Sequence, residues 1–120
     1  EDDFSAASGY QITQELLEQH ELPTAIFAAS DAIAFGAMRA IQEKGLSIPD
    51  DISIIGFNDT EMSAYTTPTL TTISAPAYDM GQHGANLIYA ATNLNIETPL
   101  KAKIPCKLVK RESCTSLRSK

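Results

Sequence analysis

The 120-residue chain contains no tryptophan and only 2 cysteines. Two cysteines in a chain of this length, Cys106 and Cys114, are too few for the disulfide framework of a small secreted domain. No apolar stretch approaches the roughly 20 residues that cross a bilayer. No basic segment followed by an apolar run opens the chain, as it does in a secretory signal. The sequence therefore predicts no membrane partner and no disulfide scaffold.

Positive charge is also scarce, since 9 Lys and Arg face 15 Asp and Glu and the net charge is −6. Gripping the phosphates of DNA needs clustered basic side chains, so this segment is not expected to bind nucleic acid itself. Most of the basic residues lie near the end of the chain: Lys101, Lys103, Lys107, Lys110, Arg111, Arg118 and Lys120. We expect this run to lie on a solvated strand edge and tail.

Sequence signatures of catalysis are missing as well. The chain has no G-x-S-x-G turn, no glycine-rich phosphate loop and no metal-ligand spacing. His20 and His83 stand alone, without the partner groups that acid–base catalysis requires. The prediction is a protein that is not an enzyme and carries no cofactor or metal.

What the sequence does contain is an alternation of short apolar runs with helical patterns. Apolar runs at residues 25–29 and 52–57 have the length of buried strands, and residues 5–20 and 32–44 have helical periodicity. Two strand–helix units in succession predict an α/β fold in which a parallel sheet carries flanking helices. A further extended segment at residues 70–74, a helix after Pro76 and a strand at residues 103–110 complete the pattern.

The helix at residues 32–44 has the clearest boundaries. Ser30 is a good N-cap, Asp31 suits the positive end of the helix dipole, and Gly45 is placed to end the helix. Its apolar residues fall on more than one side, with Met38 on one apolar line and Phe35 off it. Such a helix needs two buried faces, so it needs a second packing partner besides the sheet.

Polar residues follow both predicted strands, as Ser30-Asp31 and as Asn58-Asp59. Ligands of open parallel sheets bind beyond the carboxyl ends of the strands. Hydroxyl, amide and carboxylate groups converging there suit a sugar, whose ring hydroxyls both donate and accept hydrogen bonds. From the residues alone each pair has a second explanation: Ser30-Asp31 as a helix cap, and Asn58-Asp59 as a turn.

Several segments are recognisable in order along the chain. They read PTAIFAASD (23–31), GAMRAI (36–41), DISIIGFND (51–59), PTLTTI (68–73) and LVKRES (108–113). Together they resemble the patterns PTAIFAANDxxAxGAMRAI, DISVVGFDD, PPLTTI and LVxRxS of the lactose-repressor/galactose-repressor (LacI/GalR) family of transcriptional regulators. The resemblance covers nearly the whole chain.

The resemblance implies the C-terminal part of a type I periplasmic-binding-protein-like core of two α/β subdomains, with an effector in the cleft between them. Residues 1–75 would belong to the second subdomain. Residues 76–95 would form a crossover helix of the first subdomain, and residues 96–120 the return strand and C-terminal tail. The helix-turn-helix head that binds operator DNA lies outside this chain.

Four positions match the family's ligand contacts. Phe4 matches the aromatic residue that stacks on the apolar face of a sugar. Ser30 matches a position that is usually Asn, Asn58 one that is usually Asp, and Ala75 one that is often Gln. The resemblance thus implies a small sugar-like effector, with altered hydrogen bonding at three of the four positions.

The resemblance also implies a homodimer, in which the outer side of the two-sided helix contacts a second subunit through Phe35 and Met38. The alternative is that these two residues pack under a part of the protein's own fold that this sequence does not contain. The resemblance implies that the intact protein is a cytoplasmic, effector-controlled repressor. A secreted or periplasmic sugar receptor with the same core is the alternative function, and an enzyme of the doubly wound class is the third option.

Overall fold

A computed structural model describes residues 4–94, 98 and 100–116. The elements follow in the order α1 (Ala6–Leu16), β1 (Ala25–Phe27), α2 (Asp31–Glu43), β2 (Ser53–Phe57), a 3-10 helix (Glu61–Ala64), β3 (Thr71–Ser74), α3 (Ala77–Asn93) and β4 (Lys107–Val109). Strand β4 is shorter than the predicted strand at residues 103–110. None of the helices in the described ranges is long and apolar enough to cross a membrane.

The strands form one sheet in the order β1-β2-β3-β4. Strands β1 and β2 pair in parallel with Phe27 opposite Ile55, and β2 and β3 pair in parallel with Phe57 opposite Ile73. Because successive parallel strands require crossover connections, the helical segments lie between them in sequence. The predicted α/β class with a parallel sheet and flanking helices is confirmed.

Helix α2 begins and ends as its sequence predicts. The Ser30 hydroxyl accepts a hydrogen bond from the Ile33 backbone N–H at 3.2 Å, which satisfies one of the unpaired donors of the first turn. Gly45 lies just past the helix with φ of 80°, in the left-handed region that glycine enters at little cost. The helix therefore stops where the chain turns toward β2.

Both faces of α2 are covered within the chain. One apolar cluster joins α2 to the sheet and to the segment before β3, and consists of Ala28, Ala34, Ala37, Met38, Ile54 and Leu70. A second joins α2 to α1 and β2, and consists of Leu17, Ala40, Ile41 and Ile52. Helix α1 is thus the second packing partner that the apolar pattern of α2 requires.

The two helices approach closely through glycines. A Cβ added to Gly9 would collide with the Ile33 carbonyl, and one added to Gly36 would collide with the Ala6 carbonyl. The buried stripe of α1 therefore runs through small and polar residues, Gly9 and Thr13. The larger apolar side chain of Ile12, on the same helix, is 55% exposed.

The C-terminal segment after β4 packs across the N-terminal ends of β2 and β3. The buried Ser113 hydroxyl accepts from the Thr71 N–H at 2.8 Å and donates to the Ile54 carbonyl at 2.6 Å. The Glu112 carboxylate accepts from the N–H and the hydroxyl of Thr69, which lowers the pKa of that carboxyl. These bonds hold the end of the chain against the sheet.

The chain divides into two compact units. The described residues of Glu1–Ser74 and Leu108–Lys120 form one, and those of Ala75–Lys107 form the other. No residue of α3, which lies in the second unit, is buried. The division falls beside the predicted boundary after residue 75. The assignment of residues 1–75, 76–95 and 96–120 to particular subdomains stays a prediction. Residues 1–3, 95–97, 99 and 117–120 of these ranges lie outside the described residues.

Candidate functional site

The carboxyl ends of the parallel strands place Ser30 and Asn58 at the same edge of the sheet. Phe27 of β1 pairs with Ile55 of β2, and each candidate residue lies three positions further along the chain, beyond the end of its strand. Ligand sites of open parallel sheets form beyond this edge. The backbone thus brings together the two polar positions that the sequence singles out.

Asn58 is the open hydrogen-bonding group of this edge. Its backbone N–H donates to the Ile73 carbonyl at 2.8 Å, which ties it to the end of β3. Its side chain is exposed and makes no hydrogen bond within the described part of the chain. A carboxamide both donates and accepts, so this side chain can bind a hydroxyl group in either sense.

Unlike the side chain of Asn58, that of Ser30 is buried and already hydrogen-bonded. The side chain is the N-cap of α2, and the residue is only 7% exposed. Of the two explanations that the sequence leaves open, the cap is therefore realised. A hydroxyl that accepts one bond keeps a second lone pair and its own hydrogen, so a ligand role for Ser30 stays a prediction.

The two aspartates beside these residues do not face open solvent. Asp31 is 0% exposed and accepts from the Thr72 hydroxyl at 2.5 Å and from the Thr60 N–H at 2.7 Å. The Thr60 hydroxyl adds a third bond at 3.1 Å. Asp31 therefore links the start of α2 to the turn after β2 and to β3, beyond its predicted role at the helix dipole.

Asp59 pairs with Arg111 from the C-terminal segment. The Arg111 Nη2 donates to Asp59 Oδ1 at 2.7 Å, and the two side chains are 19% and 24% exposed. Arg111 Nη1 donates to the Leu70 carbonyl and to the Ser63 hydroxyl, both at 2.9 Å. For Arg111 the expectation of a solvated basic tail is wrong, because its guanidinium is held by partners from three segments.

Nothing local in the sequence marks these partners. Thr60, Ser63 and Thr72 are ordinary polar residues with no periodic signal, and Arg111 sits within a basic run. Only the family pattern LVxRxS at residues 108–113 gives that arginine a fixed place. The partners were missed because they meet across the sheet and not along one element.

Phe4 and Ala75 have different surroundings. Phe4 is 71% exposed and directly precedes Ser5, the N-cap of α1, so its ring presents an apolar surface to solvent. Ala75 is half-buried and directly follows Ser74, the last residue of β3. Their roles as ligand contacts stay predictions.

The two residues predicted at a subunit interface also differ. Met38 is 4% exposed and lies in the apolar cluster between α2 and the sheet, so it presents almost no surface to a partner. Phe35 is only partly buried against that cluster. Met38 thus packs against the sheet of its own chain, and a subunit contact through Phe35 stays a prediction.

No group of three or more His, Cys, Asp or Glu side chains within the described ranges could hold a metal ion. A shallow groove elsewhere, between the ends of α1 and α2, is lined in part by Leu17 and Ala40. The Lys44–Glu18 ion pair, at 2.5 Å, lies at this groove. The groove lies at the C-terminal ends of both helices, and the sequence singles out none of its polar lining residues, Gln14, Glu18, Glu43 and Lys44.

Residues 1–114 match the family described as periplasmic binding protein-like domain. The HTH-type transcriptional repressor PurR of Escherichia coli is 36% identical over 111 residues, which are 92% of this chain and 33% of that protein. The chain thus spans about a third of the length of the curated relatives that it matches.

Solved structures agree with this match. A LacI family transcriptional regulator from Enterococcus faecium with bound ribose superposes with a TM-score of 0.83 at 38% identity, over 98% of this chain and 43% of that one. The lac repressor dimer bound to operator and the anti-inducer ONPF superposes with a TM-score of 0.88 at 38% identity, over 95% of this chain and 40% of that one.

Proposed function

The chain belongs to the LacI/GalR family of regulators, as part of their periplasmic-binding-protein-like effector domain, and we propose that in the full-length protein it helps to bind a sugar or sugar-like small molecule. The proposal extends to a transcriptional repressor whose DNA contacts come from a helix-turn-helix head outside this chain. The net charge of −6 supports the placement of DNA binding outside this chain, because an acidic segment offers little attraction for phosphates.

The open amide of Asn58 at the carboxyl edge of the sheet is the observation that carries the proposal. Its backbone is tied to β3 while its side chain has no described partner. A pre-placed group of this kind loses little freedom when it binds a ligand hydroxyl. The Enterococcus relative binds ribose, whose hydroxyls have the same chemistry.

The remaining proposed contacts give the site its character. The exposed ring of Phe4 would cover the apolar face of the ligand, and Ser30 would add a hydroxyl from the start of α2. Ala75 offers no side-chain hydrogen bond, so a ligand group meeting it would be apolar or satisfied elsewhere. Asn58 in place of the usual Asp adds a donor, which favours a ligand acceptor at that point.

A homodimer is part of the proposal, with Phe35 as its candidate contact on α2. The lac repressor structure, whose similarity covers 95% of this chain, is a dimer on operator DNA. Phe35 retains exposed surface, whereas Met38 does not. As a regulator of transcription the full-length protein would act in the cytoplasm, without an enzymatic step.

The test is calorimetric titration of the full-length protein with a panel of monosaccharides that includes D-ribose. Asn58→Ala should weaken binding of the best sugar by about 10–100-fold, since it removes a hydrogen-bonding partner from a buried ligand. Asn58→Asp should retain binding to sugars that donate at this position.

The matched control is Gln19→Ala, which removes an exposed carboxamide from the loop after α1. Phe4→Ala tests the stacking contact separately. Unchanged affinity in Asn58→Ala would refute the role of Asn58. Wild-type protein that binds no member of the panel would refute the sugar-like effector.

A further inference from the structure

The turn that carries Asn58 has a backbone conformation that its residues do not prefer. Asn58 has φ of 109° and Asp59 has φ of 53°. Two consecutive non-glycine residues with positive φ are uncommon, and they persist only where surrounding contacts hold them. The direction of the Asn58 side chain follows from these angles, so whatever holds the turn also aims the amide.

Three consecutive backbone N–H groups hold the inner side of the turn. Those of residues 58, 59 and 60 donate to the Ile73 carbonyl at 2.8 Å, the Thr72 hydroxyl at 3.3 Å and the Asp31 carboxylate at 2.7 Å. All three acceptors belong to buried or half-buried residues of β3 and α2. The main chain is therefore tied to the sheet from one side.

Arg111 holds the other side. Its Nη2 binds the Asp59 carboxylate, while its Nη1 binds the Leu70 carbonyl and the Ser63 hydroxyl. The guanidinium thus connects the turn to the 3-10 helix and to the residue before β3. Both charges are largely shielded from water, so the pair is screened less than a surface ion pair.

The backbone of Arg111, from which the guanidinium extends, is itself held in place by a hydrogen bond. The Arg111 backbone N–H donates to the Thr71 hydroxyl at 2.9 Å, two residues before Ser113 joins Ile54 to β3. A side chain on such an anchored segment loses less freedom in making its contacts. The C-terminal segment and the turn after β2 are thus coupled through one side chain.

We propose that Arg111 is a positioning residue for effector binding, acting through Asp59 to hold the backbone that aims the Asn58 amide. The inference rests on the proposed function, because it concerns the same site. It adds that the C-terminal segment, which supplies no proposed ligand contact, governs affinity at the sheet edge.

Lysine cannot substitute for arginine in this role. The guanidinium serves three acceptors through two nitrogens set in one rigid plane, whereas an ammonium is a single point with three donors. Arg111→Lys therefore keeps the charge and removes the bridge. This makes it the informative substitution.

The first experiment follows amide hydrogen exchange in the full-length protein. In Arg111→Lys the N–H groups of residues 58–60 should exchange at least about tenfold faster, while those of α2 stay unchanged, as expected for local opening. Arg39→Lys is the matched control, because the Arg39 side chain is 74% exposed and its partners in the described part of the chain are its helix neighbour Glu43 and the Tyr10 ring. It should leave residues 58–60 unaltered.

Equal rates at residues 58–60 would overturn the proposal. So would a uniform acceleration throughout α2, which would make Arg111 a general stabilising residue. Should Arg111→Lys fail to fold, Asp59→Asn weakens the same bridge from the other end, leaves the Leu70 and Ser63 bonds in place, and should speed the same amides.

The second experiment titrates D-ribose and the other monosaccharides of the panel into the same variants. Affinity should fall about tenfold or more in Arg111→Lys and remain unchanged in Arg39→Lys. Unchanged affinity with faster exchange at residues 58–60 would overturn the link to the ligand. If the wild-type protein binds no sugar, the proposed effector fails, while the exchange experiment still decides whether Arg111 holds the turn.

Discussion

Gly56 is the second-to-last residue of β2, and any side chain at this position would enter space that is already filled. A Cβ at this position would collide with the Asp31 Oδ1 atom and would lie 3.0 Å from the Leu70 Cδ2 atom. Asp31 is 0% exposed and Leu70 is 0% exposed, so neither side chain has open space to move into. Gly56→Ala therefore forces two buried groups to shift.

The expected cost follows from these contacts. Overpacking by a single methyl group in a filled interior costs about 1–3 kcal/mol. If the Asp31 carboxylate moves instead, its bond from the Thr72 hydroxyl is strained, and a hydrogen bond to a charged group contributes about 1.5–3 kcal/mol. Against this, replacing glycine in a strand returns about 0.5–1 kcal/mol of backbone entropy. The net loss should be about 0.5–2.5 kcal/mol of a total of roughly 5–15 kcal/mol.

Urea denaturation of the full-length protein, followed by circular dichroism, measures the change. The matched control is Gly81→Ala in α3, where no atom of the described residues lies within 4 Å of an added Cβ. That substitution should raise stability by about 0.5–1 kcal/mol, because alanine is the better helix former. The reasoning fails if Gly56→Ala unfolds at the same urea concentration as the wild type, or at a higher one.

Two further predictions concern packing and pH. Met38→Asp should unfold the domain and not merely dissociate a dimer, because the carboxylate would enter the chain's own core, whereas Phe35→Asp should leave it folded and shift sedimentation toward monomer. A folded Met38→Asp protein, or an unaltered dimer in Phe35→Asp, would contradict this. The pKa of Glu112 is held below its ordinary 4.5 by the Thr69 N–H, so this carboxylate stabilises the fold above that pH and ceases to do so as the pH falls below it. Glu112→Gln should flatten the fall in urea midpoint below about pH 4.5, and identical slopes would argue against the contact.

The sequence by itself determined the class of the fold and the limits of its clearest helix. Alternating apolar runs and helical patterns predicted a parallel α/β sheet, and the ordered motifs identified the family. The N-cap at Ser30 and the helix end before Gly45 could both be predicted, because a cap and its partner lie within a few residues of one another. The place of Asn58 at the carboxyl end of β2 was also predicted from sequence, and its contact with a ligand stays a prediction.

Only the tertiary structure decided which polar groups remain open to a ligand. Asp31 and Asp59 look as available as Asn58 in the sequence, yet one binds Thr72, 41 residues away, and the other binds Arg111, 52 residues away. Pairings across such distances leave no periodic trace, because they depend on how the strands are ordered and not on any single element.

The packing of α2 was decided in the same way. The apolar pattern of α2 correctly predicted two buried faces, but it could not identify the element that packs on the second face. Helix α1 does so, because Gly9 and Gly36 allow the two backbones to approach closely. Met38 is covered by the sheet of its own chain. An apolar pattern alone cannot distinguish a partner in the same chain from one in another, since burial removes the same area from water in either case.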